Sequence, residues 1–230
     1  NIVPEQEQKN YTEKVLYLPN CYQSNPANDL ISKKNYSKRD FNLPENKFIY
    51  CSFNNHNKIT PQIFLSWMKI LERVENSVLW LYLTNEDAKK NILLEASKAK
   101  INKDRIIFAS SIEHSEHLKR LNLADLFLDT FPYNAHTTGS DALRMGLPMI
   151  TLKGKSFASR VLASILNTND LDELVTEDLK DYENLAVNLG SNHNFYIELK
   201  KKVKEKSSKS ILFNNTKFTK DLEDIYNDIL

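Results

Sequence analysis

His136, Thr137, Thr138 and Asp141 lie close behind a short apolar run that ends at Asp129, with Pro132 and Asn134 marking a loop between. An imidazole, two hydroxyls and a carboxylate at the expected start of a helix are a set suited to anion binding. The first N–H groups of a helix have no partner within it, and the positive end of its dipole points the same way. A phosphate or diphosphate is the natural occupant of such a junction. Asp141, one helical turn past Thr137, is placed to accept hydrogen bonds from ribose hydroxyls. Ordinary capping by Ser or Thr accounts for part of this pattern. The four side chains together nonetheless hold more donors and acceptors than one cap needs.

Two further loops carry chemistry. In Asn54-Asn-His-Asn-Lys-Ile-Thr-Pro61, Thr60 reads as an N-cap and Pro61 as the first helical residue. Lys58, just ahead of that helix, faces the unfavourable end of its dipole and is better placed if an anion is shared between them; an exposed, solubilising lysine is the alternative. The other loop carries Ile112, Glu113, His114, Glu116, His117 and Arg120. His114, His117 and Arg120 are spaced by three and share one helix face. That face could stack an imidazole on a planar base and reach its carbonyl oxygens with a guanidinium. A surface helix pairing with Glu113 and Glu116 fits the same spacing. The three loops describe a base end, a sugar end and a phosphate end of a nucleotide site. The sequence has neither a Walker lysine motif nor GxGxxG, which argues against a P-loop NTPase or a dinucleotide-dependent dehydrogenase.

The elements that must position these loops alternate regularly from Lys47. Strands are predicted at 47–53, 77–83, 105–109, 124–129 and 148–152, and helices at about 61–74, 85–101, 113–121, 138–145 and 156–166. Ser77-Val-Leu-Trp-Leu-Tyr-Leu83 is apolar on both faces, as a strand covered by helices on both sides must be. The fold class is therefore α/β, a doubly wound, mostly parallel sheet, whose ligands bind outside the carboxyl ends of the strands. The loops after Phe53, Phe108 and Asp129 all fall at that edge. Residues 1–46 are polar and irregular, a lead-in with one expected buried strand at Val15–Leu18. Residues 47–230 form the domain, with terminal helices from about 177: 177–190, 193–207 and 217–229. The lysines between Lys200 and Lys206 read as a solvated helix face.

The 230 residues are 41% hydrophobic, with 11 Phe and 10 Tyr to fill a core. With 31 Lys and Arg against 30 acidic residues, the net charge of +1 offers no electrostatic case for nucleic acid or an anionic membrane. Any anion binding must be local. The two cysteines, one inside the apolar run Phe48–Phe53, suit a reducing compartment. No signal peptide or long apolar run is read, so the expected location is cytoplasmic. No Cys or His cluster has metal-ligand spacing, and no Asp-x-Asp metal motif is read. The start Asn1-Ile-Val-Pro, without an initiator Met, is compatible with a piece of a longer polypeptide.

At these residues the chain resembles the catalytic region of O-linked N-acetylglucosamine transferases, specifically the bacterial tetratricopeptide-linked members. The resemblance is carried by Tyr11–Pro19, Tyr50–Asn55 with Lys58–Pro61, Ser77–Leu81, Glu116-His117 with Ala124-Asp125, and Leu128-Asp-Thr130. It continues through His136-Thr-Thr-Gly139, Gly146-Leu-Pro148, Phe157–Arg160 and the C-terminal Leu212, Phe213 and Phe218. It implies a GT-B architecture, two Rossmann-like domains with the nucleotide-sugar in the cleft, of which this chain is the C-terminal one and residues 1–46 the end of the preceding lobe.

The implied roles are a Lys58 that contacts the diphosphate and is needed for activity, a His136-Thr137-Thr138 phosphate cradle, and an Asp141 that holds ribose. His117 and Arg120 would sit at the uridine, with backbone groups at Ile112 bonding the uracil. Two positions depart from the pattern: a glutamine beside the donor in animal members is Asn55, and a lysine near the ribose is His114. The implied activity is transfer of N-acetylglucosamine from UDP-N-acetylglucosamine to Ser or Thr of an acceptor protein or peptide, with no metal and no cofactor. The isolated chain, lacking the first lobe, is expected to be inactive. A cytoplasmic N-glycosyltransferase using UDP-glucose is the rival enzyme, and a non-catalytic nucleotide-sugar-binding or interaction module the rival of another kind.

Overall fold

Five of the six strands carry short apolar runs flanked by turn-forming residues, and they pair in parallel. They are β1 (Phe48–Ser52), β2 (Ser77–Tyr82), β3 (Ile106–Ala109), β4 (Leu126–Leu128), β5 (Met149–Leu152) and β6 (Val175–Thr176). The computed structural model describes residues 2–26 and 31–229. The sheet order is β3-β2-β1-β4-β5-β6, with Phe48 opposite Ser77 at the start of one pair and Tyr50 opposite Leu126 in the next. Chain order reverses between β1 and β4, and a crevice opens there beyond the strands' carboxyl ends.

The helices are α1 (Pro61–Arg73), α2 (Glu86–Lys98), α3 (His114–Leu121), α4 (Thr137–Arg144), α5 (Val161–Asn167), α6 (Leu179–Ser191), α7 (His193–Ser208) and α8 (Asn215–Ile229). Their apolar faces close a core around the buried Trp67, Trp80, Phe127 and Tyr182. Helix α1 starts as its sequence dictates: Thr60 accepts a hydrogen bond from the Ile63 N–H and Pro61 occupies the first turn. Helix α4 ends at Gly146, whose φ of 67° lets the Leu147 N–H return to the Ala142 carbonyl.

The structure corrects four local expectations. Val15–Leu18 forms no strand and pairs with none of the six, and Leu16 is exposed. The helix expected over 156–166 is broken into a single turn at Phe157–Ser159 followed by α5. Ser156 and Ser159 bond each other there and turn the chain in before α5 begins. Strand β4 is shorter than 124–129, since the Asp129 side chain is drawn into hydrogen bonds within the loop. The sixth strand, only two residues long, has too little pattern to be read in advance. The lead-in contributes Ile2, Cys21 and Leu43 to the core cluster. The lysine-rich face of α7 pairs with acids on neighbouring elements, Lys202 with Glu173 and Lys206 with Asp170.

Candidate functional site

The loops after β1, β3 and β4 converge at the crevice. Helix α4 is N-capped by His136 with no side-chain cap, and the first N–H groups to find a helical partner are those of Gly139 and Ser140, both on the His136 carbonyl. The Thr137 and Thr138 N–H groups have no hydrogen-bond partner among the described residues. The two threonine hydroxyls do not cap the helix, so ordinary capping fails to explain them. What remains is an open positive helix end, with Thr137 exposed and Thr138 half-buried.

Lys58 reaches this point from the other side of the switch. Its Nζ donates to the Asn134 carbonyl at 3.0 Å and lies 4.0 Å from the centre of the Tyr133 ring. Partial burial pulls its pKa below the ordinary lysine value, and the nearby Asp129 opposes that fall. The loop holding Asn134 is pinned from beneath. Asp129 Oδ1 accepts from Asn54 Nδ2 at 3.0 Å, the Thr130 N–H at 2.8 Å and the Ala135 N–H at 2.7 Å, and Oδ2 accepts from Thr151 Oγ1 at 2.7 Å. Burial pushes the Asp129 carboxyl up to about 7, while these bonds pull it down. Asn134 Nδ2 in turn donates to the Thr130 carbonyl, and Thr60 Oγ1 donates to the Phe131 carbonyl. The lysine and the open helix end thus rest on one buried polar network.

The other end is a recess of about 240 Å³ lined by Phe53, Tyr82, Ser111, Ile112, His114, His117 and Arg120. Arg120 Nε donates to His117 Nδ1 at 3.0 Å, which leaves the second ring nitrogen of His117 to carry the proton. Burial and the adjacent guanidinium hold the His117 pKa down to about 3, so the ring is neutral at physiological pH. Its ring meets Phe53 edge-on at 5.2 Å. A planar base slot floored by aromatic edges and offering one N–H donor is the result. Between the two ends, His114 Nε2 and Asp141 Oδ2 lie 3.1 Å apart and join the starts of α3 and α4.

The chain that forms this crevice has known relatives. The description of glycosyl transferase family 41 matches residues 23–222. The SEC protein of Arabidopsis thaliana is 36% identical over 222 residues, covering 94% of this chain and 23% of that protein. The UDP-N-acetylglucosamine-peptide N-acetylglucosaminyltransferase of Caenorhabditis elegans is 35% identical over 189 residues, 82% of this chain and 16% of that protein. The chain belongs to glycosyl transferase family 41. Its length is about a quarter or less of that of these relatives. A Thermobaculum terrenum O-GlcNAc transferase structure superposes with a TM-score of 0.82 over 98% of this chain and 42% of that one, at 24% identity. The fold is the Rossmann-like GT-B arrangement.

Within this family 41 domain, the sequence-chosen residues fall into two groups. Lys58, Thr137 and Thr138 come together at the start of α4, and Ile112, His114 and His117 line the recess, with His114 held to Asp141. Arg120 lines the recess as well, but as a buried group. It is 2% exposed, and its donors go to His117 and to the Ser110 carbonyl at 2.7 Å, with Phe53 and Trp80 against its face. From the wall of the recess it holds His117 in place. Burial lowers its pKa to about 10, which keeps it cationic. Asn55 is exposed and spends its side-chain oxygen on the Asn57 N–H, capping the short turn His56–Lys58 that presents Lys58. An Asp-x-Asp triplet does occur at Asp170-Leu171-Asp172, but it precedes β6 and so lies at the opposite, amino end of the strands, with Asp170 paired to Lys206.

Sequence reasoning passed over Asp129, Asn54, Asn134 and Tyr133. Their signal was faint: an Asp closing an apolar run and an Asn in each of two loops, polar residues without a solvent-facing pattern. No helix among the described residues is long and apolar enough to cross a membrane.

Proposed function

We propose that this chain is the UDP-sugar-binding half of the catalytic region of a protein O-glycosyltransferase, moving N-acetylglucosamine from UDP-N-acetylglucosamine to Ser or Thr of an acceptor protein or peptide. One observation carries the reading: the Lys58 ammonium and the open end of α4 face each other across the switch point, one recess away from a neutral, donor-bearing His117. The diphosphate lies against Thr137, Thr138 and Lys58, with His136 at the turn; ribose lies near Asp141 and His114; and uracil enters the recess beside His117 and Ile112. Asn55 stands nearest the sugar.

In the reaction the acceptor hydroxyl oxygen forms a bond to the anomeric carbon. The bond from that carbon to the β-phosphate oxygen breaks, and its electron pair stays on UDP. The charge building on the diphosphate is met by Lys58 and the α4 dipole, so this reading calls for no metal or cofactor. Residues 1–46 are the end of the preceding catalytic lobe and 47–230 the donor domain. The acceptor site and the group that takes the hydroxyl proton belong to the remainder of the protein. A cytoplasmic location fits the buried, unpaired Cys21 and Cys51.

Calorimetry with UDP tests the donor site directly. Binding that is lost in Lys58→Ala supports it; no binding even at millimolar UDP leaves the fold as an interaction scaffold. Comparing UDP-glucose with UDP-N-acetylglucosamine in the complete protein separates N-glycosyl from O-GlcNAc transfer.

A further inference from the structure

The lead-in does more than fill the core. Tyr22 OH lies 3.1 Å from His136 Nδ1, and Gln23 Nε2 lies 3.4 Å from Thr137 Oγ1, across 114 residues of sequence in each case. Tyr22 is further held edge-on against Phe157 at 5.3 Å. The polarity of the Gln23 contact follows from a chain of bonds that starts at a group with only one option. The Gln23 main-chain carbonyl can only accept, and it takes a bond from Asn25 Nδ2 at 3.1 Å. That turns Asn25 Oδ1 toward the Gln23 side chain, where it accepts from Nε2 at 3.3 Å. Asn25 is 3% exposed, so this orientation is not traded against water. The same Nε2 group therefore faces Thr137 as a donor. Gln23 Oε1 is buried and has no partner among the described residues.

We propose that Tyr22 and Gln23 are positioning residues of the diphosphate site, orienting His136 and Thr137 so that the end of α4 presents only donors to the anion. This inference rests on the donor-site reading above. With a lone pair of Thr137 Oγ1 occupied by Gln23, the hydroxyl proton is left to point at the ligand, beside the unpartnered N–H groups of Thr137 and Thr138. A hydroxyl turned the other way would set a lone pair against phosphate oxygen. At His136, a Tyr22 hydroxyl that donates to Nδ1 fixes the ring and leaves the proton on Nε2, a buried atom with no partner among the described residues; burial and the nearby Lys58 hold the ring's pKa down as well. The lead-in thereby becomes part of the site, although it lies outside the sheet domain.

Calorimetry on the full chain with UDP and with uridine tests this, using Gln23→Met, Thr137→Val and the double variant. Gln23→Met keeps the length of the side chain and removes its donor. It is expected to weaken UDP about fivefold, the worth of one ordinary hydrogen bond, while leaving uridine unchanged. In the Thr137→Val background the same change is expected to cost nothing further, because the hydroxyl it orients is gone. Tyr22→Phe is expected to weaken UDP and spare uridine likewise. Wild-type UDP affinity in Gln23→Met, equal losses for UDP and uridine, or additive losses in the double variant would each overturn the proposal while leaving the donor site standing. A wild-type chain that does not bind UDP would overturn both.

Discussion

At the α4 end the groups that face the crevice rest on a buried carboxylate accepting four hydrogen bonds, whereas at the α3 end His117 rests on one buried guanidinium packed among aromatic rings. The first support is polar and closed: Asp129, Asn54, Thr130, Asn134 and Thr151 hold one another, and removing one leaves buried partners unpaired. The second is mostly shape, a slot between Phe53, Ile112 and Tyr82 that tolerates small changes in volume. Charge must be met with donors at set positions, and fixed donors need a fixed loop. A planar base needs a slot and one oriented N–H.

The comparison can be broken hardest at Asp129. Asp129→Ala orphans four donors, each costing roughly 1–3 kcal/mol when buried and unpaired. After relaxation the chain is expected to lose about 3 kcal/mol or more of stability in urea unfolding, along with its affinity for both pyrophosphate and UDP. A loss within experimental error would show that the network is not what holds the cradle. Lys58→Ala strikes function without the scaffold. By analogy with the removal of one oxyanion-stabilising donor, turnover of the complete protein is expected to fall by about 10²–10³, or 2.7–4 kcal/mol. The unfolding midpoint should stay close to wild type, and undiminished turnover would remove Lys58 from the mechanism.

Arg120→Met probes the other end. It keeps most of the packing volume but removes the bonds to His117 and the Ser110 carbonyl, for an expected loss of about 1.5–3 kcal/mol of stability. Uridine affinity should drop while pyrophosphate affinity holds, the reverse of Lys58→Ala. If both probes fall together in both variants, the two ends are one cooperative unit.

The smallest net effect is the pH dependence of wild-type stability, in which His117 and Asp129 oppose each other. The His117 pKa in the fold is about 3 against an ordinary value of 6.5. The unfolded chain therefore binds the extra proton below pH 6.5, and stability falls as pH drops toward 3, by up to about 1.4 kcal/mol per unit. Asp129 titrates in the opposite sense: its raised pKa favours the fold as pH falls from about 7 toward 3.8. Unfolding of wild type and His117→Gln between pH 7 and 4 isolates the first term, since Asp129 contributes to both proteins. Parallel curves would mean that His117 takes up its proton in the folded state as readily as in the unfolded one.

The strands and helices were largely legible because their signals are local. Val78–Tyr82 is apolar throughout, Thr60-Pro61 starts α1 by its own cap chemistry, and Gly146 stops α4 with a backbone angle that glycine adopts without strain. The doubly wound sheet followed from that alternation, as did the convergence of three loops at one edge. Short or long-range features were not legible. Val175–Thr176 is a strand only because β5 offers it an edge, and Val15–Leu18, although more apolar, pairs with no strand.

Lys58, His117, Thr137 and Thr138 could be picked out along the chain, since residue type and position relative to a helix start already restrict what they can do. Which of them would rest on Asp129, that Arg120 would be packed against Phe53 and Trp80, and that Gln23 would reach Thr137 depended on contacts between residues far apart in sequence. The direction of a hydrogen bond or the burial of a charge belongs to the packed neighbourhood of a group, and that neighbourhood exists only once the chain has folded.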